Sequence, residues 1–277
     1  MTSADPTARA TADAPTAKLT SQKRLNRLLT GPERQAESGT TPRTGGGFLD
    51  VLGDVPQAGP TTGLTQRLMR TTLLPQVYER YWRPALGRLF KGPFGPSMAG
   101  EVRLAIELLA LRPGQVVLDV ACGTGRFTRA FGETVGEEGL AIGLDGARGM
   151  LARAAAERSP GSVAYLRADA VRPPLQESTV DAICCFAALH LFDEPERALD
   201  SFARILRPGG RVVLLTSARP GWQPARLVGS AGGILSGQRM FDRGEIAASL
   251  RARGFLILSE QSSGVVQIVA GKRPESS

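Results

Sequence analysis

The feature that most constrains the fold is a pair of apolar runs, each ending in a carboxylate. Val116-Val117-Leu118-Asp119-Val120 passes through Ala121 and Cys122 into Gly123-Thr124-Gly125, after which a helix-forming stretch begins at Arg126. Leu140-Ala141-Ile142-Gly143-Leu144 comes next and is closed by Asp145, 20 residues past Gly125. An apolar run, a glycine turn and a helix form a strand-turn-helix unit, and two such units place two carboxylates beside one crevice.

The chemistry of that crevice follows from the residue types. Gly123 and Gly125 accept positive φ and let a ligand lie against the turn, while amides at the helix N-terminus face an anionic group. A carboxylate at the second strand end can take both hydroxyls of a ribose. A dinucleotide would use the same carboxylate, but its pyrophosphate normally requires a third glycine three residues past the second. Thr128 stands there. The turn suits a mononucleoside with a small carboxylate better than a pyrophosphate.

The rest of the chain repeats the alternation. Strands are predicted at 116–120, 140–144, 163–167, 180–186 and 211–217, with helices near 126–135, 147–158 and 195–206 between them. A helix from Glu101 to Leu111 precedes the first strand and is stopped by Pro113-Gly114. Alternating strands and helices imply right-handed crossovers and a parallel, doubly wound sheet, with ligands at the carboxyl ends of its strands. After a helix over 245–253 come Phe255–Ser259 and Val265–Val269 with only a short turn between them, so these two strands are antiparallel.

With these stations in order, residues 97–273 resemble the class I S-adenosylmethionine-dependent methyltransferases of the UbiE-like type. The resemblance rests on four motifs: the turn from Asp119 to Gly125 with Asp145, Arg167-Ala168-Asp169-Ala170 after the run Val163–Leu166, the segment Val180–His190, and Leu206-Arg207-Pro208-Gly209-Gly210 before the next strand. It implies an α/β Rossmann-like fold: a mostly parallel seven-stranded sheet with an antiparallel C-terminal strand. It also implies S-adenosyl-L-methionine as cofactor, bound by Asp119, Ala121, Cys122, Gly123, Gly125, Asp145, Gly146, Met150, Asp169, Ala170 and Phe186. In that assignment Asp119 orients the turn amides and holds the methionine ammonium, Asp145 binds the ribose, Met150 packs on the adenine face and Asp169 accepts the adenine amino group. Core filling by Met150 and a plain surface turn at Asp169 are the competing structural readings. Ala147 stands where relatives often carry a serine, so a helix cap is absent.

Two segments precede this domain. Residues 1–45 are rich in Thr, Ala, Ser, Pro and Gly and read as a disordered tail. Within them Lys18–Leu29 has the spacing of a short basic helix with Leu25, Leu28 and Leu29 on one side, either an anchor for a membrane surface or RNA or a solvated tail. Residues 46–96 read as an N-terminal helical cap, with Tyr78, Tyr81 and Trp82 at helical spacing. This segment resembles a methyltransferase subgroup related to the rRNA guanine methyltransferases and to uncharacterised plastid proteins. In that subgroup a cysteine-rich zinc ribbon often precedes it, yet no cysteine occurs before Cys122. The methyltransferase domain proper is 97–277.

Composition narrows the partners. Residues 1–112 carry 15 Lys and Arg against 9 Asp and Glu, whereas 113–277 carry 19 against 17, so the basic surplus belongs to the N-terminal part. Three cysteines and one histidine provide neither a disulfide framework nor a metal cluster, and no apolar run approaches the ~20 residues of a membrane span. A cytoplasmic location is the expectation. A small, hydrophobic acceptor is the favoured substrate, with Tyr78, Tyr81, Trp82 and Trp222 as an aromatic wall and the glycine-rich insertion within Arg219–Phe241 as a lid. An RNA base is the alternative acceptor. A dinucleotide-dependent oxidoreductase and a non-catalytic cofactor-binding module are the alternative classes. His190, just past the fourth strand, is the candidate general base.

Overall fold

The computed structural model describes residues 14–31, 43–53, 98–219 and 239–275. Its frame is one sheet, in the order β1 (Arg43–Gly45), β2 (Phe48–Asp50), β5 (Val163–Arg167), β4 (Leu140–Asp145), β3 (Val116–Val120), β6 (Val180–Phe186), β7 (Leu206–Ser217), β9 (Val266–Lys272) and β8 (Leu256–Ser263). The central strands are β3 (Val116–Val120), β4 (Leu140–Asp145), β5 (Val163–Arg167), β6 (Val180–Phe186) and β7 (Leu206–Ser217). They are all parallel, with Asp119 in register with Gly143 and Cys184. β9 (Val266–Lys272) runs antiparallel to β7 and to the edge strand β8 (Leu256–Ser263), as the short turn between the last two strands requires.

Helices cover both faces. On one face α2 (Met98–Leu109), α3 (Arg126–Val135) and α4 (Arg148–Ala156) bury Ala105, Leu109, Phe131 and Leu151 against Val117, Ala141 and Val213. On the other, α5 (Pro195–Ile205) and α6 (Glu245–Ala252) bury Phe202, Ile205 and Leu250 against Leu118, Ile183 and Leu214. Consecutive strand residues alternate between these two clusters, and both faces are apolar. This is why the strands read as continuous apolar runs.

Two expectations are corrected. The sheet has nine strands, because β1 (Arg43–Gly45) and β2 (Phe48–Asp50) form a hairpin whose second strand joins β5 in parallel. Residues 43–50 are thus part of the same sheet as the five central strands. Residues 1–45 are also not a uniformly unordered tail. α1 (Ala14–Leu28) packs on the domain with Leu25 and Leu29 buried in the α5/α6-side core. Ser21 Oγ donates to the Val163 carbonyl at 2.8 Å, and the Arg24 guanidinium donates to the carbonyls of Glu137, Glu138 and Gly139. Burial of the two leucines and the hydrogen bonds of Ser21 and Arg24 act against the ordering cost of this polar segment. The leucines proposed to face a membrane or RNA are occupied by the protein's own core. Most of the cap (54–96), including Tyr78, Tyr81 and Trp82, and most of the lid (220–238), including Trp222, lie outside the described residues.

Candidate cofactor site

The carboxyl ends of β3, β4 and β5 form one lip of the crevice. β3 leaves the sheet at Ala121, a non-glycine residue held at φ 56°, and the turn continues through Gly123 at φ 57° to Gly125 at φ 75°. Gly125 is the N-cap of α3. Cys122 N donates to the Leu144 carbonyl at 3.0 Å, which ties the turn to β4. A left-handed alanine is strained, and such strain persists where the surroundings over-determine it.

Asp145 is the hinge of this lip. One carboxylate oxygen accepts from Gly123 N at 2.9 Å and the other from Ala147 N at 2.8 Å, so it bridges the glycine turn and the start of α4. No side-chain cap forms at Ala147 itself, as its residue type requires. Asp119, by contrast, is buried and accepts the Thr128 hydroxyl at 2.6 Å. Amide orientation, expected of Asp119, is at Gly123 performed by Asp145.

Thr128 explains how the turn manages without its third glycine. In a dinucleotide fingerprint that glycine lets the helix approach the strand closely. Here the close approach is supplied from the strand: a Cβ on Gly143 would lie 2.8 Å from Thr128 Oγ1 and 2.7 Å from the Tyr165 ring. Tyr165 then runs beneath the turn, and a Cβ at Gly125 would collide with its hydroxyl. That hydroxyl is buried, and burial raises its pKa against the lowering influence of the nearby Ser159 and Arg129. Sequence reasoning had left out both Thr128 and Tyr165 as supports. The signal for the latter was Tyr165 standing two residues before Arg167 in an otherwise aliphatic strand.

The other predicted residues fall around the same lip. Gly146 follows Asp145, and Met150 is buried on the first turn of α4. Asp169 and Ala170 lie in the turn after β5, with Asp169 exposed and accepting from Val171 N at 2.9 Å. Phe186, at the end of β6, packs against Phe127 of α3 at 5.2 Å between ring centroids with the rings tilted by 58°, so its ring belongs to the core. Cys122 is half-buried, and desolvation, with Asp145 and Asp119 nearby, pushes its thiol well above the ordinary range. A thiol raised in this way is unlike the low-pKa cysteines that act as nucleophiles.

The second lip is formed by β6 and β7. Ala187 leaves β6 at φ 57°, exposed, and a single 3-10 turn over Leu189–Leu191 carries His190. His190 Nδ1 lies 3.4 Å from the Thr216 hydroxyl on β7, and burial lowers the imidazole pKa to about 4. The ring is therefore neutral at physiological pH. Among the described residues no group of His, Cys, Asp and Glu could hold a metal ion, and no helix is long and apolar enough to cross a membrane.

Residues 118–214 match the family model described as a methyltransferase domain. The chain is 34% identical over 179 residues to an uncharacterized chloroplastic methyltransferase of Arabidopsis thaliana, covering 62% of this chain and 49% of that protein. It is 37% identical over 123 residues to the ubiquinone/menaquinone biosynthesis C-methyltransferase UbiE of Ectopseudomonas mendocina, covering 43% and 48%. The chain thus spans about half the length of these curated relatives. Among solved structures, it superposes with a TM-score of 0.64 and 14% identity on a Haemonchus contortus phosphoethanolamine N-methyltransferase, over 79% of this chain and 61% of that one.

Residues 118–214 thus carry a methyltransferase domain, set in a sheet of doubly wound order. To the matched stretch the chain adds α1 and the β1–β2 hairpin on its N-terminal side. The residues present could hold S-adenosylmethionine: a left-handed glycine turn at a helix N-terminus would face its carboxylate end, and Asp145, one strand away, could take the ribose.

Proposed function

We propose that the protein transfers a methyl group from S-adenosylmethionine to a small, hydrophobic acceptor by in-line displacement. The observation that carries this reading is Asp145, which joins the glycine turn and the α4 start through both carboxylate oxygens. A nucleoside whose ribose hydroxyls meet Asp145 has its amino-acid end at the α3 N-terminus. Similarity to a ubiquinone/menaquinone biosynthesis C-methyltransferase favours the hydrophobic acceptor.

When bound, the sulfonium supplies an already activated methyl group. The protein's tasks are orientation and exclusion of water. In this reading Gly123, Gly125, Ala121 and Cys122 contribute turn backbone, Asp119 holds the ammonium end, and Gly146 and Asp145 flank the ribose. Met150, Asp169 and Ala170 surround the adenine, and Phe186 with Phe127 supports the floor. His190 takes a proton where the acceptor must lose one. Its neutral imidazole is in the protonation state a base needs, although a pKa near 4 makes it a weak one.

The test is incubation with methyl-labelled cofactor and cell extract fractionated into lipid, RNA, protein and small-metabolite pools. The reading predicts label in the lipid-soluble or small-metabolite fraction. Label confined to RNA replaces the acceptor with a nucleobase, and absence of transfer despite cofactor binding makes the domain a binding module.

A further inference from the structure

Asp50 ends β2 in register with Arg167 at the end of β5, and Arg167 is in turn in register with Asp145 at the end of β4. Three adjacent parallel strands therefore finish in the row Asp50, Arg167, Asp145. Asp50 is buried. Both its oxygens accept from Arg167 Nη1, at 3.1 and 3.0 Å, and one also accepts from Arg148 Nη2 at 2.7 Å. The amides of Leu52 and Gly53 complete its shell at 3.1 and 3.0 Å.

The two arginines lead to the turn that follows Asp145. Arg167 Nε donates to the Gly146 carbonyl at 3.1 Å, and Arg148 is the first residue of α4. One buried carboxylate from the N-terminal hairpin thus holds, through two guanidiniums, both ends of the segment Gly146–Arg148. Since α4 has no side-chain cap at Ala147, this segment depends on Asp145 and the Asp50 pair for its conformation.

Resting on the proposed cofactor site, we infer that Asp50 is a positioning residue for it. It sets the Asp145–Arg148 turn, and hence the Asp145 carboxylate, against the ribose hydroxyls of the nucleoside. The hairpin over residues 43–53 is then a working part of the cofactor site.

The test is calorimetric binding of S-adenosylhomocysteine, and of its analogue lacking the ribose 2′-hydroxyl, to the full chain and to Asp50→Asn, well below either melting temperature. The inference predicts that Asp50→Asn binds S-adenosylhomocysteine on the order of tenfold more weakly, the size of coupling usual within one hydrogen-bonded network. It also predicts that the penalty for the missing hydroxyl shrinks in the variant. A merely structural Asp50 lowers the melting temperature and leaves that penalty unchanged, which overturns the inference, as does unchanged affinity. Failure of the wild-type chain to bind S-adenosylhomocysteine instead removes the cofactor reading itself. Should Asp50→Asn not fold, Arg148→Ala, at a side chain 54% exposed, and Asp50→Glu carry the same comparison.

Discussion

At the scale of single residues the site is governed by Asp145, Gly125 and His190. Asp145→Ala removes an acceptor shared by two loop amides. Losing charge-assisted bonds of about 1.5–3 kcal/mol should weaken S-adenosylhomocysteine binding roughly ten- to hundredfold, measurable by calorimetry. Gly125→Ala puts a Cβ into Tyr165 at a φ only glycine adopts freely, so binding should fall and the melting temperature drop. Adding Tyr165→Ala should recover part of the loss by removing the collision but not the backbone strain. For His190 the sign is fixed by burial: its folded pKa lies near 4, below the ordinary 6.5. Its contribution to stability is complete above pH 6.5 and is lost as pH falls towards 4, because the unfolded chain takes up the proton first. In His190→Gln, the denaturation midpoint should lose that part of its pH dependence between 6.5 and 4.

At the scale of elements, α1 and the β1–β2 hairpin are the parts that the sequence hid. Leu25→Ala should destabilise the protein by about 2–5 kcal/mol in denaturant unfolding, since Leu25 is wholly buried. A solvated tail predicts no change. The five parallel strands and their helices were legible because apolar runs, glycine turns and helix stops agree along 98–217. The hairpin was not, because Arg43–Gly45 and Phe48–Asp50 are three residues each and carry no periodicity to read. α1 was hidden for another reason. Its leucines sit among threonines and basic residues, and the contacts that hold it, Leu25 and Leu29 in the core, Ser21 on Val163 and Arg24 on the carbonyls of residues 137–139, are made with distant segments. Within the site, the glycine turn and Asp145 were visible as types at a spacing, whereas Tyr165, Thr128 and Asp50 act through contacts between distant segments, with Asp50 and Arg167 117 positions apart.

At the scale of the whole molecule, one sheet with helices on both faces brings the ends of β3, β4 and β5 to one lip of a crevice and those of β6 and β7 to the other. In the proposed function, cofactor chemistry belongs to the first lip and acceptor chemistry to the second. The N-terminal hairpin extends the first lip by one further strand end. The central claim is that this lip binds an adenosyl amino acid and not a dinucleotide, and calorimetric titration of the full chain with S-adenosylhomocysteine and with NAD tests it most directly. The account predicts one-site binding of S-adenosylhomocysteine, strongly weakened in Asp145→Ala, with no heat from NAD. Binding of NAD alone, or wild-type affinity for S-adenosylhomocysteine in Asp145→Ala, would contradict it.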